Sequence, residues 1–117
     1  MSKDNERSLR LTIKLQALQN AYCQGMAARL SEIGEIWTYH IEHGDTESFA
    51  TVLNKVHMLS GTATMYGLKE LGQIAETAEN ALLDLKDEAE PDALQVADRA
   101  VSQLLADRSA YRVEVEQ

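Results

Sequence analysis

The 117-residue chain is poor in several residue types. It has one cysteine, one proline, one Trp, one Phe and four Tyr. A lone Cys23 builds neither an internal disulfide nor a cysteine zinc site. With Pro91 as the only proline and few β-branched runs, the Ala-, Leu- and Glu-rich remainder favours helix throughout. Basic charge is also scarce. Eleven Lys and Arg stand against 19 Asp and Glu, a net charge of −8, which excludes nucleic acid as an expected partner because its phosphates would be repelled. No basic cluster stands out against that global charge. No apolar run approaches the ~20 residues that a membrane span needs. The opening MSKDNERSLR is polar and carries acids, unlike a secretory signal. A cytoplasmic protein with no membrane association is the expectation.

What is present is enough for one core. The length suits a single domain and 44% of residues are hydrophobic. Residues 1–7 read as a flexible N-terminus, and 8–113 as one helical domain. Leu11, Leu15, Leu18, Tyr22, Met26, Leu30, Ile33, Trp37 and Ile41 recur at three- and four-residue steps, the stripe of an amphipathic helix. That stripe is long for one helix, so a break is expected between residues 18 and 26, leaving a short extra helix in front. Gly44 and Asp45 then read as a left-handed helix end and the next N-cap. A helix over residues 46–66 closes at Gly67. A third stripe runs through Leu68, Leu71, Ile74, Ala75, Ala78, Leu82 and Leu85, and the charged KDEAE ends it. The last runs through Leu94, Ala97, Val101, Leu104, Arg108 and Tyr111. Four such stripes with short links predict an all-α, up-down antiparallel four-helix bundle.

The stretch KVHMLSGTATMYG, residues 55 to 67, is unusual for a helix. At 100° per residue, Phe49, Val52, Val56, Leu59, Ala63 and Tyr66 share one side, centred roughly 110° from His57. His57 is therefore expected on the flank, outside the core, with Leu53 at the edge. Its neighbours one turn away include Ala50, Leu53, Asn54, Ser60, Gly61 and Thr64. A mid-helix Gly costs roughly 1 kcal/mol relative to Ala, and nothing in the helix itself offsets that. Gly61 lets another molecule approach beside the imidazole. An exposed imidazole is largely neutral at pH 7 and keeps one lone pair, so it can act as a nucleophile. The chain has no glycine-rich phosphate loop and no evident carboxylate set for Mg²⁺. Any phosphoryl group must arrive on another protein, with that protein's metal.

The run His57-Met58-Leu59-Ser60-Gly61, followed by Gly67 and Leu71, resembles the histidine phosphotransfer (HPt) domain pattern. Gly44-Asp45 falls where that family has an interhelix turn, and Ala78-Glu79 where it often has Leu-Glu. The resemblance covers about residues 20–110. It implies a four-helix phosphorelay module whose histidine takes a phosphoryl group from a receiver-domain aspartate and passes it to another. His57 is then the phospho-acceptor and Gly61 the clearance residue, a phosphocarrier more than a turnover enzyme. Receiver domains and a hybrid sensor kinase are the implied partners. The protein needs no cofactor of its own, and the receiver brings Mg²⁺. Many members carry Lys three residues after the histidine, where this chain has Ser60, which leaves the phosphoryl charge less neutralised. The alternative from another class is a non-catalytic adaptor that docks and sequesters a receiver or kinase through the same helix.

Met58 and Met65 lie on the His57 helix opposite its core side and are read, with Leu53, Asn54, Ser60 and Thr64, as the docking surround of His57 and Gly61. Two acidic proteins do not steer toward each other, so docking is expected to rest on apolar contact and to respond little to salt. His40 and His43 form an H-x-x-H pair without an evident third ligand, so they read as helix-terminal residues. Cys23 reads as a small half-buried hydrophobe and Trp37 as core. A monomer is expected, with the leading segment packed on the bundle or on a second chain.

Overall fold

A computed structural model describes residues 3–88 and 90–106. The helices are α1 (Lys3–Gln24), α2 (Met26–His43), α3 (Thr46–Met65), α4 (Lys69–Lys86) and α5 (Ala93–Ala106). Helices α2 to α5 pack as a bundle, with α3 against α4, α4 against α5, and α2 against both α3 and α5. Among the described residues there is no strand. The expected end of the domain at 113, with Arg108 and Tyr111, lies outside the described residues.

Local chemistry sets the helix boundaries. Gly44 ends α2 at φ 66°, and its N–H donates to the His40 carbonyl. Asp45 caps α3, its carboxylate accepting from the Ser48 N–H at 2.9 Å. Gly67, at φ 85°, turns the chain from α3 into α4. Helix α5 begins at Ala93, just after Pro91 and Asp92.

Met26, Leu30, Ile33 and Trp37 of α2 meet Val52, Val56, Leu59 and Ala63 of α3, Leu71, Ala75, Ala78 and Leu82 of α4, and Ala97, Val101 and Leu104 of α5. The Trp37 indole donates to Asp98 Oδ1 at 2.9 Å, tying α2 to α5 through the one polar atom of a buried ring. Cys23 is half-buried against this core.

Two expectations need correction, besides Ile41, read on the stripe of α2 but 47% exposed in the last turn of that helix. Leu94 is 48% exposed, and the core stripe of α5 starts instead at Ala93, with Ala97, Ala100, Val101 and Leu104. That stripe follows steps of four, three, one and three, and Leu94 lies about 100° off its first member. The second concerns the front of the chain. Its extra helix is not short: α1 has 22 residues and starts at Lys3, within the stretch read as a flexible N-terminus. Asp4 and Glu6 in its first turn suit the positive helix end, and Glu6 pairs with Arg10 one turn on.

Helix α1 is anchored to the bundle at its C-terminal end. Tyr22 stacks on Tyr66 at 4.6 Å and its hydroxyl shares a 2.6 Å hydrogen bond with Thr62. Arg29 lies over the Tyr22 ring and donates to its carbonyl. Gln19 Nε2 donates to the Tyr66 carbonyl at 2.8 Å. Burial pushes the Tyr22 phenol above its ordinary range, against the opposing pull of its Thr62 hydrogen bond. Earlier residues on the same stripe leave the bundle: Leu11, Leu15 and Leu18 are more than half exposed. Four stripes already close on one another, so the front of α1 has no core to join.

Candidate functional site

Helix α3 faces three neighbours. Lys55 pairs with Glu32 on α2, Thr62 with Tyr22 on α1, and Ser60 and Thr64 face α4. The arc left open holds His57, Met58, Gly61 and Met65. The His57 side chain is 67% exposed. A Cβ built on Gly61 would have nothing within 4 Å, so the glycine serves no helix packing among the described residues. Met58 and Met65 are 58% and 70% exposed. A groove of about 150 Å³ opens beside Met58, between α2 and α3, lined by Arg29, Glu32, Ile33, Lys55 and Leu59.

His57 has a partner that the sequence reading did not supply. Its Nδ1 contacts Glu79 Oε2 across the α3–α4 seam. Glu79 is largely shielded, with its side chain 17% exposed. A carboxylate accepts, so Nδ1 carries the hydrogen, and in the neutral ring Nε2 is the nitrogen with the lone pair, directed away from the Glu79 contact.

Ser60 belongs to the same constellation. Its hydroxyl donates to the His57 carbonyl at 2.8 Å and lies 3.4 Å from Glu79 Oε1. Glu79 therefore meets the imidazole with one oxygen and the serine with the other.

The remaining surround is mixed. Asn54 is exposed and sits 4.0 Å from Met58 Sδ. Leu53 is half-buried and packs against the core. Thr64 is turned back, its hydroxyl donating to the Ser60 carbonyl at 3.0 Å. That hydroxyl occupies the space beside Gly72, where an added Cβ would lie 2.2 Å from Thr64 Oγ1 and 3.3 Å from the Ser60 carbonyl oxygen. Gly72 was not singled out from sequence, yet it lets α4 close on α3 and so brings Glu79 within reach of His57. One signal could have found both residues. Pairs 57/79 and 64/72 are each symmetric about position 68, the turn of the α3–α4 hairpin.

The other two histidines are occupied differently. His40 Nδ1 contacts the Asp45 carbonyl and Ser48 Oγ, and its ring stacks on Trp37. His43 Nδ1 contacts the Tyr39 carbonyl, and its ring stacks on Tyr39. Both belong to the α2–α3 turn, and among the described residues no three His, Cys, Asp or Glu are placed to hold a metal.

Fold and site together define a histidine-presenting four-helix bundle, with one imidazole nitrogen held and the other open. The Hpt domain family matches over residues 15–109, most of the chain, and the chain belongs to that family. Hpt domains perform histidine phosphotransfer in phosphorelays, interacting with receiver domains and kinases. Among curated proteins and among solved structures, none matches the chain. No helix of the described residues is long and apolar enough to cross a membrane.

Proposed function

We propose that the protein is a phosphorelay intermediate in which His57 accepts a phosphoryl group from a receiver-domain aspartate and returns it to the aspartate of a second receiver. The observation that carries this reading is the His57–Glu79 pair beside the open Gly61. Nε2 attacks phosphorus in line. The N–P bond forms, the aspartyl O–P bond breaks, and the bonding pair leaves with the donor carboxylate. Nδ1 keeps its proton, and the positive charge that develops on the ring faces the Glu79 carboxylate. Return transfer is the same path reversed, with the second aspartate attacking and neutral His57 leaving. In-line phosphoryl transfer asks mainly for positioning and charge stabilisation. The bundle supplies the positioned nucleophile, and the receiver supplies Mg²⁺ and the phosphoryl group. The protein cycles as a cytoplasmic carrier, reloaded by its partners, a hybrid sensor kinase upstream among them.

Gly61, Met58 and Met65 form the approach to His57. Gly61 permits close contact, and the two methionines give an adaptable apolar surface. Ser60 brings no positive charge, so neutralisation of the transferring group falls to the partner.

The test is transfer from a panel of prephosphorylated receiver domains, with Mg²⁺, to wild type and His57→Gln. Label on wild type alone, acid-labile and alkali-stable as a phosphoramidate is, is the expected result. Tight binding of a receiver with no label on wild type would sink the carrier reading and establish the non-catalytic adaptor in its place.

A further inference from the structure

Of the four methionines, three lie among the described residues, and they divide by environment. Met26 is fully buried in the core, whereas Met58 and Met65 are each more than half exposed. Seven residues, close to two turns, separate the exposed pair. Their side chains therefore leave α3 within roughly 20° of each other and ~10 Å apart along its axis. Both fall on the open arc of His57 and Gly61. Met58 directly follows His57, and Met65 stands ~12 Å further along the helix. A partner domain ~30 Å across that seats its active site on His57 covers both sulfurs.

Nothing in the helix asks for methionine at these positions. Leu has much the same helix propensity and volume. What methionine adds is a soft thioether, which adapts to a partner and also accepts an oxygen atom. Oxidation follows access to the sulfur, which core packing denies to Met26 and the open arc gives to Met58 and Met65. Asn54 distinguishes Met58 further, because its Nδ2 lies 4.0 Å from Met58 Sδ. An amide beside a weakly accepting thioether is placed to donate to a sulfoxide oxygen, a stronger acceptor. Met58 also walls the groove shared with Ile33 and Leu59, so an oxygen there stands against apolar surface. Cys23, another oxidisable sulfur, is half-buried near the end of α1 rather than on this arc.

We propose that Met58 and Met65 form a reversible oxidation site that controls receiver docking at His57. This rests on the carrier reading above and deepens it by giving that face a control. The oxidant is a peroxide. The thioether sulfur attacks one peroxide oxygen, the O–O bond breaks, and the second oxygen leaves with both protons as water. Sulfur is oxidised to the sulfoxide and the peroxide is reduced. A dithiol-dependent sulfoxide reductase reverses the step: the sulfoxide oxygen leaves as water and the dithiol becomes a disulfide. Each oxidation turns a flexible apolar contact into a polar one whose oxygen is desolvated when the receiver arrives. His57, Glu79 and Gly61 are untouched, so the nucleophile keeps its reactivity toward a small phosphoryl donor while a protein-borne donor is turned away.

The experiment treats the full chain with hydrogen peroxide and removes the peroxide before any receiver is added. Peptide mass spectrometry locates the added oxygen. Transfer from the panel of prephosphorylated receivers, with Mg²⁺, reads docking, and labelling by phosphoramidate reads His57 alone. A variant with Met58→Leu and Met65→Leu passes through the same treatment, and each chain is compared with its own untreated sample. The expected result is one oxygen on each of Met58 and Met65, none on Met26, and about a tenfold loss of receiver transfer in wild type. Phosphoramidate labelling and the circular dichroism spectrum stay as they were, and sulfoxide reductases restore transfer. The Leu variant keeps its own rate through treatment. Met58→Gln with Met65→Gln, polar without any oxidation, reproduces the loss. Full oxidation of both sulfurs with unchanged receiver transfer overturns the proposal. An equal loss in the Leu variant also overturns it, because the sensitive group then lies elsewhere, Cys23 included. So does phosphoramidate labelling that falls together with transfer, because the damage is then at His57 or in the fold. An untreated chain that takes label from neither phosphoramidate nor any receiver sinks the carrier reading and the control with it, and is seen before peroxide is added.

Discussion

The open strip of α3 and its seam with α4 both use a glycine, for opposite reasons. At Gly61 a Cβ would meet nothing within 4 Å. At Gly72 it would fall 2.2 Å from Thr64 Oγ1. One glycine stands beside open space, and the other lets two helices of the same chain touch. A missing side chain is therefore uninformative until its surroundings are known. Stability and function also separate along this line. The seam holds the bundle together and sets His57 against Glu79, whereas the strip gives up helix stability beside the exposed His57.

The sharpest way to break this contrast is Gly72→Ala. Its helix propensity alone would stabilise α4, but the overpacked seam is expected to lower stability by roughly 1–3 kcal/mol. Urea unfolding measures the change. Thr64→Ala in the same chain removes the clashing oxygen and leaves Ser60 O, at 3.3 Å, and the former Thr64 Cβ position, at 3.4 Å, as the nearest contacts. Most of the loss should return, and additive losses would show that the seam is not the cause. Gly61→Ala should act in the other direction, raising stability by about 1 kcal/mol while slowing transfer from the receiver. Unchanged transfer would remove Gly61 from the docking face.

Glu79→Gln sharpens the chemical half of the comparison. The amide still fits the seam but no longer enforces a hydrogen on Nδ1, nor does it face the phosphorylated ring with a negative charge. Transfer to His57 is expected to slow on the order of tenfold, about 1.4 kcal/mol in the barrier. Folding stability should change far less. Nitrogen NMR of the imidazole reads the tautomer directly. Slower transfer with an unchanged tautomer would assign Glu79 to charge alone.

Much of this molecule is legible in its sequence, and the unreadable parts have a common cause. The stripes of α2, α3 and α4, the Gly44–Asp45 stop and the exposed side of α3 follow from helical periodicity and local capping, properties of one segment at a time. His57 and Gly61 were found this way. Glu79 and Gly72 depend on register between two helices, which periodicity does not report; reflection about the α3–α4 turn would have paired them. The front of α1 failed for another reason. Leu11, Leu15 and Leu18 continue the stripe of Tyr22 and Met26 in sequence, but a stripe says nothing about whether the core has room for it. Net charge also sums over two regions of opposite sign, +2 on α1 and −10 on the rest.

The smallest effect lies at the far end of α3, where the same helix begins. Asp45 accepts from the Ser48 N–H and contacts the Ser48 hydroxyl, and these hydrogen bonds hold its carboxyl below the ordinary carboxylate range. The folded state therefore favours the ionised cap. Its contribution is fully present above the unfolded carboxylate value of about 3.9 and is lost as pH falls through the lower folded value. Asp45→Ala should destabilise the bundle by a constant amount from neutral pH down to about pH 4, and the gap to wild type should narrow on further acidification. Thermal unfolding of both chains across that range measures it. Phosphotransfer at neutral pH should be unaffected, because the cap and His57 lie three turns apart on α3 and share no partner. A gap that widens in acid would mean the cap acts through its neutral form, and would break the link between the start of α3 and its charge.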